Sequence, residues 1–372
     1  MENANNPSRQ PLISVIMANY QAARWIGAAM RSVLAQSYRN LELIVCDDAS
    51  GDDSVAIARA IAARDDRVRV LPQPQNAGPA AARNSAIEVA RGEWIAIVDS
   101  DDLIHPSRLA RLWHLAMARD ADLVADDMVC FGSVSAPRTI LQPLQPAMPF
   151  RLDAAQFLLS NSGDARVPGY GYLKPMISRR VLDARRYDPS LRIGEDFALV
   201  MRLLHDGARY IVTPDPLYAY RRHDGSISHR MTVKYMEAIL TAHRAMPPMR
   251  DAPGRLAAQR VQQHLSTALR YERLVAAIKS RHFGRALRGM LDPAMIGCLG
   301  ESLADRHRRR RPQKPQEHRE RSGELPDLPP VEGRWPRPPA DDAAHLAAMA
   351  AVSDFALPET APDWAIWLRK LA

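Results

Sequence analysis

The sequence predicts an α/β fold: a mostly parallel sheet flanked by helices, followed by a helical C-terminal extension. Two observations carry this. Short apolar runs alternate with amphipathic segments of 10–15 residues across residues 11–125, the pattern of βαβ units. The apolar runs are nearly continuous rather than alternating, as expected for strands covered on both faces.

The elements follow in order. Residues 12–17 (LISVIM) read as the first strand, and 22–36 as a helix with Ile26, Met30, Val33 and Leu34 on one face. Residues 41–46 (LELIVC) form a second strand and 53–64 a helix. A strand at 68–71, a helix at 79–90, a strand at 94–98 (WIAIV), a helix at 106–118 and a strand at 123–125 complete the alternation. Residues 132–150, rich in Pro, Ser and Gln, read as a loop. A helix at 153–160, a Gly/Pro loop at 163–172 and a helix at 195–205 come next. Residues 209–222 read as two short strands separated by Pro214 and Pro216. The division is therefore a first domain over 1–230, a helical extension over 231–304, a basic Pro-rich linker over 305–340 (RHRRRRPQKP and many prolines), and short helices near 343–352 and 363–371.

Charge and cysteines narrow the setting. Residues 1–230 hold 27 Lys+Arg against 26 Asp+Glu, and the remaining 142 hold 23 against 16, so the basic excess belongs to the C-terminal part. That permits peripheral contact with an anionic membrane surface. No aromatic interleaving or motif supports a nucleic-acid partner. Three dispersed cysteines, Cys46, Cys130 and Cys298, make no disulfide framework or CxxC site and fit a reducing cytoplasm. MENANNPSRQ lacks the apolar core of a signal peptide, and no run approaches a membrane span. The expected location is cytoplasmic, and the basic segment has two readings: a solvated linker, which is favoured slightly, or a peripheral contact at the inner face of the membrane.

In a parallel sheet, ligands bind beyond the carboxyl ends of the strands. Polar residues gather there: Asn19, Tyr20 and Gln21 after the first strand; Asp47, Asp48, Ser50 and Asp52 after the second; Asn76, Gly78, Arg83 and Asn84 around the third. Asp99, Ser100, Asp101 and Asp102 follow the fourth, and Asp126 and Asp127 the fifth. Asp and Ser after a strand serve as helix caps, a role open to Asp52, Asp53 and Asp102. Three carboxylates within four residues, however, repel unless a cation or strong hydrogen-bond donors offset them. Mg²⁺ or Mn²⁺ with a diphosphate would do so. No GxxxxGK[ST] and no GxGxxG is present, so a glycine phosphate cradle is excluded. Glu195 and Asp196 open a helix, either as a favourable first turn or as a general base. Arg221, Arg222 and His223 cluster after the last strand reading.

Six blocks, SVIMANYQAARWIGAAMRSVLAQSY, LELIVCDDASGDDS, NAGPAAARNSAI, GEWIAIVDSDDLIHPSRL, GEDFALVMRL and YRRHDGSIS, together resemble the family 2 glycosyltransferases, inverting enzymes of GT-A fold. The resemblance spans about residues 12–229. It implies a nucleotide-sugar donor, a UDP-sugar first among them, and a glycan or lipid-linked hydroxyl acceptor in exopolysaccharide or envelope glycan synthesis. It also implies roles. Tyr20 would stack on the base, Asp48 would hydrogen-bond it, and Arg83 would lie near the nucleotide. Asp99 would approach the ribose, and Asp101 would bind the metal. Asp196 would be the catalytic base, and His223 would sit near the metal or diphosphate. The family's Pro-x-Tyr-Asn is here Ala18-Asn19-Tyr20-Gln21, which keeps the aromatic. The QxxRW block of processive synthases is absent near 220–240, as for an enzyme adding one residue per encounter. Two other classes remain open. A nucleotidyltransferase would show a Gly-rich basic turn where this chain has ANYQAARWI; a non-catalytic nucleotide- or glycan-binding module would have no need of Asp99, Asp101 and Asp196.

Overall fold

The computed structural model describes residues 10–133, 138–223 and 232–300. The expected linker and the two C-terminal helices lie outside them.

The first half follows the reading closely. β1 (Ile13–Asn19), β2 (Leu41–Asp47), β3 (Val68–Pro72) and β4 (Trp94–Ile97) alternate with α1 (Ile26–Leu34), α2 (Ser54–Ala62) and α3 (Pro79–Val89). They pair in parallel in the order β3-β2-β1-β4. β2 is buried along its whole length, which explains why its apolar run does not alternate. The polar exceptions are satisfied locally. Ser14 Oγ donates to buried Glu42 at 2.6 Å, and the amide of Arg91 donates to the same carboxylate at 2.7 Å. The Gly92 amide donates to Ser14 Oγ at 2.8 Å, and a Cβ on Gly92 would lie 2.5 Å from the Ser14 nitrogen, so only glycine closes this turn.

The second half is less regular. β5 (Leu103–Ile104) and α4 (Arg108–Arg119) lead to β6 (Leu123–Gly132). β7 (Arg138–Thr139), β8 (Phe150–Leu152), α5 (Ala154–Leu159), a 3₁₀ turn (Tyr170–Tyr172), β9 (Met176–Ser178), α6 (Arg179–Leu182), α7 (Glu195–His205) and β10 (Tyr210–Arg222) follow. The sheet continues β4-β9-β6-β10-β5, with β9 antiparallel to both neighbours and β6 parallel to β10. Most paired residues run parallel, and helices cover the sheet.

Two expectations change here. Residues 209–222 form one strand, not two. Register shifts between Thr213 and Pro216, and again before Tyr218, absorb prolines that cannot donate to a ladder. β6 also runs on past residue 125, so Asp126 and Asp127 are buried within it and not presented at the sheet's edge. Arg108, fully buried, binds Asp126 through Nε at 2.9 Å and a terminal nitrogen at 2.7 Å. Asp127 accepts from the amides of Met128 (2.7 Å) and Leu141 (3.0 Å), pinning the segment read as loop.

The extension comprises α8 (Val233–Ala245), α9 (Ala252–Lys279) and α10 (Phe283–Met290). Asp251 caps α9 by accepting from the Gly254 amide at 2.7 Å. Met236 and Leu240 of α8 pack on Val261, Leu265 and Leu269 of α9, which also lies against α5. Cys46 is a buried free thiol, pushed up to about 11 chiefly by burial, in keeping with its reading as a small hydrophobe. Among the described residues no helix is long and apolar enough to cross a membrane.

Burial raises the Asp127 carboxyl from 3.8 to about 6, so the native state holds a proton that the unfolded chain releases in between. Stability attributable to this group therefore falls as pH rises from about 4 to about 6 and is flat above. Asp127→Asn, which keeps an acceptor oxygen, is expected to raise stability at pH 7 by roughly 1–3 kcal/mol and leave it unchanged at pH 3.5. Urea unfolding at the two pH values checks this.

Candidate active site

The carboxyl edge of the sheet is built from tight turns. Gln21 and Ala49 adopt positive φ (50° and 59°), turning the chain sharply after β1 and β2. Asn19 Nδ2 donates to Asp47 Oδ1 at 2.6 Å, tying the two strand ends together. Asp48 is buried, and its two oxygens accept from the amides of Ala77 (2.7 Å) and Gly78 (2.8 Å). Gly78, at φ 95°, makes the turn into α3, and Pro79 starts the helix where no amide donor is needed. Asp48 thus fixes the position of α3. Tyr20 stands at the end of β1 with its side chain 45% exposed.

One turn into α3, Arg83 is only 4% exposed and meets three carboxylates. Its terminal nitrogens lie 2.8 Å from Asp99, 2.6 Å from Glu195 and 3.3 Å from Asp196. Lys174, 7% exposed, enters from the segment before β9 and lies 2.8 Å from both Asp99 and Asp196. Two cations therefore face three carboxylates in a site largely closed to water. Burial alone would raise Asp99, but Lys174 and Arg83 outweigh it and hold its carboxyl below the usual carboxylate range. The same carboxylates, Asp196 and Asp99 foremost, overcome burial to keep Lys174 charged far above its ordinary range. Burial and then Asp196 push Glu195 up despite Arg83. Gly194, at φ 86°, swings the chain so that Glu195 and Asp196 fall in the first turn of α7, where the helix dipole favours negative charge.

The loop after β4 is anchored from the other side. Asp102, expected as a possible cap, is instead fully buried and accepts from the Tyr218 hydroxyl (2.8 Å) and the Arg221 amide (2.7 Å). Burial, then the charges of Asp101 and Asp99, raise its carboxyl well above the normal range. The loop is thereby bound to β10 and Asp101 stays at the surface. Asp101 Oδ2 lies 2.9 Å from His223 Nε2, and its carbonyl accepts from Arg221 Nε at 2.8 Å. The Arg221 guanidinium is stacked between Trp25 (4.2 Å) and Phe131 (4.5 Å).

Among the described residues no three His, Cys, Asp or Glu side chains form a ready cage for an ion. Asp101 and His223 nevertheless fit Mn²⁺ or Mg²⁺ of the kind held by one or two protein ligands and completed by substrate phosphates. They place one partly exposed carboxylate beside one imidazole.

The sequence-predicted residues thus fall on one edge. Arg83, Asp99 and Asp196 meet directly, and Asp101 and His223 pair two residues along the same loop. Asp48 connects through the turn into α3, and Tyr20 stands at the neighbouring strand end. Asp126 and Asp127 do not belong to it. The sequence reading missed Lys174, Tyr218 and Trp25. A single lysine inside GYLKPM carries no local signal, because its partners lie 75 and 22 positions away.

Residues 14–182 match the family model described as glycosyl transferase family 2. The succinoglycan biosynthesis protein ExoO of Rhizobium meliloti is 34% identical over 306 residues, covering 80% of this chain and 87% of that protein. ExoU of the same organism is 30% identical over 311 residues, covering 81% and 89%. In fold, the chain is similar to S. aureus TarS 1-349 in complex with UDP (TM-score 0.53, 17% identity, 68% of this chain and 70% of that one). It is also similar to the mannosyltransferase PcManGT of Pyrobaculum calidifontis in complex with GDP-Man and Mn2+ (TM-score 0.53, 17% identity, 100% and 87%). The match to ExoO along nearly its whole length, on a sheet with this order of strands, shows that the chain is a GT-A glycosyltransferase and belongs to glycosyl transferase family 2.

Proposed function

We propose that the chain transfers a sugar from a nucleotide-diphosphate sugar, with UDP as the nucleotide, to a hydroxyl of a glycan or lipid-linked acceptor in exopolysaccharide synthesis. The configuration at the anomeric carbon inverts. The carrying observation is that Lys174 bonds both Asp99 and Asp196, so the candidate donor loop and the candidate base form one unit. The ExoO and ExoU names support the setting, and the UDP and GDP-Man complexes of the fold neighbours support the donor class.

Tyr20 offers an open ring for the base, and Asp48 meets the base with lone pairs beyond its two backbone bonds. Asp99 addresses the ribose and Arg83 stands behind it. Asp101, with His223, would hold a divalent cation, Mn²⁺ or Mg²⁺. The chemistry such an ion supplies is neutralisation of charge on the departing diphosphate. Arg221, stacked on Trp25 and Phe131, fixes the Asp101 backbone so that this carboxylate does not wander.

Asp196 takes the proton of the acceptor hydroxyl as its oxygen bonds to the anomeric carbon. The bond from that carbon to the diphosphate breaks, and the electron pair leaves with the phosphate. Lys174 and Arg83 hold the carboxylate in place, which is the positioning such transfer depends on. The basic C-terminal part brings the enzyme to the inner face of the membrane, where lipid-linked acceptors reside.

Asp196→Asn is expected to lower transfer by about 10²–10⁴-fold while donor binding persists, read by nucleotide release and by thermal shift with the nucleotide sugar. Transfer near the wild-type rate contradicts the base assignment. Asp101→Ala is expected to remove the Mn²⁺-dependent part of donor binding and leave the metal-independent part, measured by calorimetry with and without Mn²⁺. Lys174→Met leaves the half-buried Asp99 and Asp196 with Arg83 as their remaining cation, and urea unfolding should show a loss of about 1–3 kcal/mol. Lys174→Arg should recover part of it.

A further inference from the structure

The geometry points to α10 and the turn after it as the element that inserts into an anionic lipid surface. This deepens the membrane contact proposed above by giving it a place, and it stands apart from the transfer chemistry.

α10 has two apolar faces. Ala286 is buried, Gly289 packs against Leu274 of α9, and Met295 beyond the helix is buried with them. That inner face already accounts for the helix's attachment. The opposite face carries Phe283, Leu287 and Leu291, spaced i, i+4, i+8, and they are 75%, 64% and 77% exposed. Met290 of the same helix is also exposed, as is Ile296 in the helical segment that follows. Isolated exposed apolar residues are ordinary, but a row of large ones on one helical face marks an interaction surface.

Charge selects the occupant. Lys279, Arg281 and Arg288 are exposed around the row. The single acid between 279 and 296 is Asp292, and Arg270 holds it at 2.6 Å. The sequence that follows, RHRRRRPQK, adds more cations. A helix with bulky apolar residues on one side and exposed Lys and Arg around them matches an interfacial membrane helix. Arginines near such a surface add attraction to anionic headgroups.

The test uses the full chain with vesicles of phosphatidylcholine alone or mixed with phosphatidylglycerol, sedimented without donor. Binding is expected to the mixed vesicles and not to the neutral ones, weakening as salt rises. The variant carrying Phe283→Ser, Leu287→Ser and Leu291→Ser, all surface positions, is expected to lose binding by tenfold or more, since burying one such side chain is worth about a factor of ten. A second variant, with Arg308→Gln, Arg309→Gln, Arg310→Gln and Arg311→Gln, is expected to bind more weakly but retain dependence on the apolar row. The proposal is overturned if the wild type ignores anionic vesicles, or if the triple Ser variant binds as the wild type does. It is also overturned if the triple Ser change alters only the oligomeric state or exposes residues 301–372 to protease, which would make a second copy or the chain's own C-terminal segment the occupant. Transfer to a soluble acceptor, measured without vesicles, reports separately on the catalytic reading.

Discussion

Two buried cations, held against one buried carboxylate and two half-buried ones, are what the rest of the site depends on. Arg83 comes from α3, Asp99 from the loop after β4, Lys174 from the segment before β9, and Glu195 and Asp196 from α7. Four separate pieces of chain therefore meet through ion pairs of 2.6–2.8 Å. Removing such charges from water is costly, and the mutual attraction offsets that cost only when the geometry is good. The pairing therefore contributes position more than net stability. Every displacement of α7 relative to the β4 loop would leave a buried charge without its partner.

The same logic runs outward. Asp102 is buried so that the loop is bound to β10, and Asp101 is left partly exposed next to His223. Asp48 accepts from two backbone amides, so that α3 starts where Arg83 can reach the centre. Neighbouring acids along one loop thus have opposite duties, set by burial and not by residue type. Glycines at positive φ, Gly78 and Gly194, supply the turns that start α3 and α7 at the required angle.

Much of this was legible in the sequence. Apolar runs placed β1, β2 and β4 within a residue or two, because a strand covered on both faces favours apolar side chains along its length. The candidate site was legible where chemistry crowds locally, as in Asp99 to Asp102 and Glu195-Asp196. It was not legible where the partner is distant. Lys174 gains its meaning only from Asp99 and Asp196, and Asp126 loses its apparent place at the edge because β6 keeps pairing with β10 beyond it, with Arg108 neutralising its buried charge. Pro214 and Pro216 marked a real irregularity but not a break, since β6 and β10 keep their pairing on either side. Sequence spacing registers neighbours along the chain, and these features are decided across the sheet.

If one edge of the sheet holds both the donor's diphosphate and the base, a crystal structure of the chain grown with UDP and Mn²⁺, with the metal located by its anomalous scattering, will show it. The ion is expected on the Asp101 carboxylate, the uracil against Tyr20 and the diphosphate ending on the side where Asp196 stands. An ion bound elsewhere, or a nucleotide seated away from Asp99 and Arg83, would contradict it.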